Sequence, residues 1–66
     1  MKISKFKLSC AMIKAGIPHG KELAARANLS PNTISAIMRG ATVAFETISK
    51  TAAALGVDPI ELLEED

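Results

Sequence analysis

Four residues, Asn28-Leu29-Ser30-Pro31, constrain the fold of this chain more than any other part of its sequence. A helical pattern runs into them from Gly20, with Leu23, Ala24 and Ala27 on one side and Lys21, Glu22, Ala25 and Arg26 on the other. Asn28 can end that helix as glycine often does, because its short amide tolerates the left-handed conformation. Ser30 is a good N-cap, and Pro31 suits a first helical turn, where its missing N–H costs nothing. A stop followed at once by a start leaves no room for a gradual change of direction. Two short helices must meet at a sharp corner, with Leu29 as its plug.

The remaining chain reads as three further short helices. Ile3, Phe6, Cys10, Ile13 and Ile17 recur at three- and four-residue steps and predict one buried face of a first helix, starting near Ser4 and ended by Gly16 and Pro18. The helix that begins at Pro31 is expected to reach about Arg39 and to stop at Gly40, with Ile34, Ile37 and Met38 inward. Phe45, Ile48, Ala52 and Leu55 predict a fourth helix, closed by Gly56. Asp58 and Pro59 then cap and open a fifth, holding Ile60, Leu62 and Leu63. Convincing two-residue alternation is absent, so strands are not expected. The expected architecture is all-α: five helices around one small core, including a helix-turn-helix, in one domain spanning 1–66. At 66 residues this lies near the lower size limit for folding without staples.

Several function classes fall away on composition. The chain has one Cys and one His, which gives no internal disulfide and no metal framework. Cys10 is expected to pack as a small apolar residue in a reducing compartment. No apolar run is long enough to span a membrane, and the N-terminal lysines precede no continuous apolar segment of the secretory kind. A cytoplasmic protein is the expectation. No nucleophile–base pair, phosphate-binding glycine loop or metal cluster appears, so neither enzyme activity nor a cofactor nor a small-molecule ligand is expected. Charge is divided unevenly. Residues 1–40 carry Lys2, Lys5, Lys7, Lys14, Lys21, Arg26 and Arg39 against Glu22 alone, whereas residues 41–66 carry Lys50 against six acids. That polarity suits a chain that offers its first half to a polyanion, although two ordinary solvated faces would also account for it.

The third helix narrows the choice. With Ile34 and Ile37 inward, Pro31, Asn32, Thr33, Ser35, Ala36 and Arg39 remain for the surface. An exposed helix without a special task usually carries Glu and Lys, which favour helix and solubility. This one carries short polar side chains, a methyl and a single cation, and the sequence holds no acid between Glu22 and Glu46. A phosphate-lined groove repels carboxylates, and short side chains let a helix backbone come close to base edges. Asn can bond adenine with two hydrogen bonds, Ser and Thr can bond several bases, and an Ala or Thr methyl can touch that of thymine.

The run KELAARANLSPNTISAIMRG resembles the helix-turn-helix of the Cro/repressor-type family of bacterial and phage regulators, also called the xenobiotic-response-element type. The resemblance rests on Glu22-Leu23-Ala24, Ala27, Asn28 at the corner, Ser30, Thr33-Ile34-Ser35 and Arg39-Gly40. FETISKTAAALGVDPIELL resembles that family's fourth and fifth helices, so the likeness covers residues 17–63. It implies a lambda-repressor-like domain: a sequence-specific regulator of transcription, a repressor, that lays helix three (about 31–39) in the major groove of double-stranded DNA. Carried over by position, Pro31, Asn32, Thr33, Ser35 and Ala36 fall where the family reads bases or adjoining phosphates. Ser30, Arg39 and Lys21 fall where it grips the backbone, and a helix N-terminus adds free N–H groups there. His19 is a further phosphate candidate when protonated, or a surface or capping residue at the start of helix two.

This sequence departs from the family pattern in three places. His19 and Gly20 stand where Ser/Thr-Gln usually precedes helix two, the loop Ala41-Thr42-Val43-Ala44 is uncharged where it is often basic, and Pro31 and Ala36 replace side chains that often make hydrogen bonds. Fewer phosphate contacts predict modest affinity for a monomer. Pairing of two copies on half-sites one helical turn apart would restore it. The last helix, through Leu62 or Leu63, is the expected homodimer contact. The sequence carries no ligand-binding or cleavage domain, so control is expected from its own concentration or from a partner protein. An interaction module of antitoxin or anti-repressor type, with a vestigial DNA face, is the alternative. Glu64-Glu65-Asp66 is expected to be a solvated tail.

Overall fold

The computed structural model describes residues 1–64. It contains four α-helices: α1 (Lys5–Ala15), α2 (Gly20–Ala27), α3 (Pro31–Met38) and α4 (Phe45–Leu55). No strand forms among the described residues, and each helix end lies within a residue or so of where the sequence punctuates it. Ser4 caps α1 by accepting a hydrogen bond from the Lys7 N–H at 3.3 Å. Gly16 and Gly56 close α1 and α4 in the left-handed conformation, at φ 73° and 72°.

The expected fifth helix is instead a single 3-10 turn, Pro59–Leu62. Asp58 and Glu61 close a capping box around it. The Asp58 Oδ1 accepts from the Ile60 N–H at 3.0 Å, and the Glu61 Oε2 accepts from the Asp58 N–H at 2.8 Å. The chain then turns extended at Leu63, which bridges to Ile3, and Glu64 N–H donates to the Lys2 carbonyl. This short pairing ties the two ends of the described chain together and prevents the turn from growing into a helix. It also places Leu62 in the core at 1% exposure, with Leu63 half-buried. Leu62 therefore cannot be a surface for a second copy.

The first helix is rotated from its expected face. Leu8, Ala11 and Met12 are the buried residues of α1, with Ala15 packed against them, while Phe6 and Ile13 are 77% and 80% exposed and Cys10 is half-buried. Both sets recur at helical spacing, so periodicity alone could not choose between them. Ile3 misled the phase: it is buried, but from the extended segment before the helix. Phe45 likewise stands out of the α4 face at 57% exposure, leaving Ile48, Thr51, Ala52 and Leu55 inside. Thr51 is buried without penalty, because its hydroxyl donates to the Thr47 carbonyl one turn back at 2.9 Å.

One aliphatic core joins all four helices and the last turn. Leu8, Ile17, Leu23, Ile37, Ile48 and Leu62 are its largest fully enclosed side chains. Each such side chain stabilises the fold by about 1.5–3 kcal/mol relative to exposure. Leu23 on α2 and Ile37 on α3 are both enclosed in it, so the corner between those helices is anchored by the core itself.

Candidate nucleic-acid interface

The corner forms as its residues dictate. Asn28 adopts φ 58° and ψ 42°, the sole non-glycine residue at positive φ among those described, and its N–H donates back to the last turn of α2. The Leu29 N–H then donates to the Ala24 carbonyl at 2.9 Å, closing the helix end, while the Leu29 side chain packs against the core. Ser30 starts α3: its Oγ accepts from the Thr33 N–H at 3.2 Å and lies 2.9 Å from the Thr33 hydroxyl. Thr33 is thus partly occupied in holding the helix start, and Pro31 occupies the first turn.

On α3, Ile34 and Ile37 point inward and Pro31, Asn32, Ser35 and Arg39 stand in solvent. Thr33 and Ala36 are half-buried on its flanks. Met38, expected inside, lies at the rim with 37% exposure. The helix is one residue shorter than expected, with Arg39 as its C-cap. The exposed strip therefore runs from short polar groups at the N-terminal end to a guanidinium at the other.

Lys21 reaches the same surface from α2. A shallow hollow is lined by Gly20, Lys21, Pro31, Ile34, Ser35, Met38 and Arg39, so the start of α2 and the outer side of α3 share one concavity. Gly20 makes this possible. A Cβ built on it would lie 3.1 Å from the Ile34 Cγ2 and 3.4 Å from the Met38 Cε, so only glycine lets the two helices approach this closely without adjustment. The local sequence pattern does not mark Gly20 for this role, because the side chains it approaches lie 14 and 18 positions further along the chain. His19 takes the N-cap position of α2 but makes no side-chain capping bond, and remains exposed.

The electrostatics follow from what is missing around these cations. Glu22 is engaged by Arg26 one turn along α2 at 3.4 Å, and Glu46 by Lys50 on α4 at 3.5 Å. Lys21 and Arg39 make no ion pair among the described residues, and the sequence between Glu22 and Glu46 holds no carboxylate to offset them. Their charge is available to an external anion. Ser30, at the corner, is exposed on the approach to α3.

A short helix fixed across a rigid corner, open to solvent and flanked by uncompensated cations, defines a helix-turn-helix domain. The chain belongs to the Cro/C1-type HTH DNA-binding domain family, whose model matches residues 7–65. No significant match was found among curated proteins or among solved structures. Membership makes DNA the ligand class of this fold and agrees with the resemblance carried by residues 17–63. No described helix is long and apolar enough to cross a membrane. Among the described residues no group of three His, Cys, Asp or Glu side chains gathers as a metal site.

Proposed function

We propose that this chain is a sequence-specific regulator of transcription, acting as a repressor, that inserts α3 into the major groove of double-stranded DNA. The observation that carries the reading is the exposed, acid-free face of α3 between the unpaired cations Lys21 and Arg39. Asn32 and Ser35 supply hydrogen bonds to base edges, Ala36 and the Thr33 methyl supply apolar contact with thymine, and Pro31 lies against the groove edge. Lys21, Arg39, Ser30 and the exposed His19 grip phosphates, helped by the free N–H groups at the start of α2. Short side chains bring the helix backbone close to the bases, so the few contacts available are direct ones.

Two copies on half-sites about one helical turn apart give the site length that a single short helix cannot. Regulation then follows from occupancy of a promoter, set by the concentration of the chain or by a partner protein. A second reading, a protein-interaction module, draws on the exposed Phe6, Ile13 and Ile60, none of which lines the α3 hollow.

Selection of bound duplexes from a random pool, followed by salt titration on the enriched duplex and a scrambled one, tests the proposal. A single enriched motif is expected, with log K falling against log salt by about 0.9 for each phosphate contacted. Weak binding without any enriched sequence would favour the interaction module.

A further inference from the structure

Residues 1–40 hold five lysines, and the fold sends them to different places. Lys7 turns back to the segment after the last turn, where its Nζ donates to the Leu63 carbonyl at 3.0 Å. Lys2 lies beside Glu64, and Lys14 shares a hollow with Glu61. Lys21 borders the outer side of α3. Lys5 comes from the start of α1 to the C-terminal end of α3. A Cβ built on Gly40 would lie 3.9 Å from the Lys5 Cε, an ordinary van der Waals contact between residues 35 positions apart. A second tertiary link holds the same neighbourhood together, because the Val43 N–H donates to the Met1 carbonyl at 2.7 Å. The segment before α1 thus meets the loop after α3 at Val43, and the first residue of α1 meets it again at Gly40.

A cation is needed at this place if a duplex runs past it. The C-terminal end of a helix carries a partial negative charge of roughly half an electron, from carbonyls that point outward, and it repels a passing phosphate. Arg39 offsets that repulsion at the end of α3 itself, but the loop Ala41-Thr42-Val43-Ala44 adds no charge. Lys5 is exposed and makes neither an ion pair nor a side-chain hydrogen bond among the described residues. We infer that Lys5 is a phosphate-binding residue of the DNA interface, the cation that α1 places at the end of α3 where the loop has none. The inference rests on the regulatory reading above and adds to it a contact from a helix outside the helix-turn-helix. The link between Val43 and Met1 then matters at the interface, since it holds the loop against the segment that leads into Lys5.

Salt titration of the selected duplex with the full chain and with Lys5→Gln, Lys5→Arg and Lys14→Gln tests it, with thermal melts of each variant alongside. Lys5→Gln should lower the slope of log K against log salt by about 0.9, so its deficit in affinity shrinks about three- to fourfold for each fourfold rise in salt. Lys5→Arg should keep the slope. Lys14→Gln removes the same charge beside Glu61, away from α3, and should leave the slope unchanged. A Lys5→Gln chain that melts lower but titrates with an unaltered slope overturns the inference, because Lys5 would then serve only the end of α3 within the folded chain. An equal fall in slope from Lys14→Gln overturns it too, since net charge and not position would be at work. Either result leaves the regulatory reading standing, provided that the unaltered chain selects a motif. A chain that enriches no sequence and binds no duplex overturns that reading, and the role of Lys5 falls with it.

Discussion

A Cβ placed on Gly20 would sit 3.1 Å from the Cγ2 of Ile34, tighter than nine in ten real Cβ contacts. That approach fixes the distance between the start of α2 and the body of α3, and with it the position of Lys21 beside Ser35 and Arg39. Ile34 is β-branched and 3% exposed, so it has little freedom to yield. Gly20→Ala improves helix propensity but overpacks this contact. The second effect is expected to win, with a net loss of about 1 kcal/mol and a melting temperature lower by roughly 4–8 °C. Differential scanning calorimetry of the variant checks the sign.

Ser30 has two roles that substitution can separate. It caps α3 through its Oγ and is exposed to solvent, and in the proposed complex it faces a phosphate. Ser30→Ala should cost about 1 kcal/mol of stability, whereas Ser30→Asp, an equally good cap, should keep it. On DNA the order reverses, because the carboxylate repels the backbone: Ser30→Asp should bind more weakly than Ser30→Ala. Melting curves and duplex binding measured on the same two samples decide both halves.

The orientation of α1 can be checked by comparing its two apolar faces. Leu8, at 1% exposure, should cost about 2–5 kcal/mol on replacement by Ala, enough to unfold much of a chain this small. Ile13→Ser, at the most exposed large side chain, should change monomer stability by no more than about 0.5 kcal/mol. Equal losses at the two sites in denaturant unfolding would return Ile13 to the core.

Asn32 and Arg39 should fail in different ways. Asn32→Ala is expected to lose about 1–3 kcal/mol on the selected duplex and to relax preference at the base it reads. Arg39→Ala should weaken binding to all duplexes alike and lower the salt slope by about one phosphate. Titration of selected and scrambled duplexes with each variant distinguishes them, and uniform loss from Asn32→Ala would remove Asn32 from the base-reading set.

What could be read in the sequence was what local chemistry decides. The left-handed Asn28, the Ser30 cap, Pro31 in the first turn and the closing glycines are each governed by a residue's own backbone preferences, and each appears where its type predicts. The inward pair Ile34 and Ile37 followed from the fixed start of α3, which settles the phase of so short a helix. Tertiary decisions were not legible. The phase of α1 depended on whether Ile3 belonged to the helix, and the pairing of Ile3 with Leu63, remote in sequence, took it out. The same pairing reduced the fifth helix to one turn and sent Leu62 inside. The close contact at Gly20 joins residues fourteen positions apart, and nothing in the local pattern announces it.

The central claim is that the exposed face of α3 is the face presented to the duplex, and one substitution tests it most directly. Ser35 is exposed mid-helix, between the sites of Asn32 and Arg39, in a segment without acids. Ser35→Glu should leave the melting temperature nearly unchanged, because Glu favours helix and nothing there is buried. Equilibrium titration of the selected duplex with this variant should show affinity reduced by about a hundredfold or more, the cost of driving a carboxylate into a phosphate-lined groove. A folded Ser35→Glu chain that binds the duplex as tightly as the unaltered one would contradict the account, since α3 would then face elsewhere.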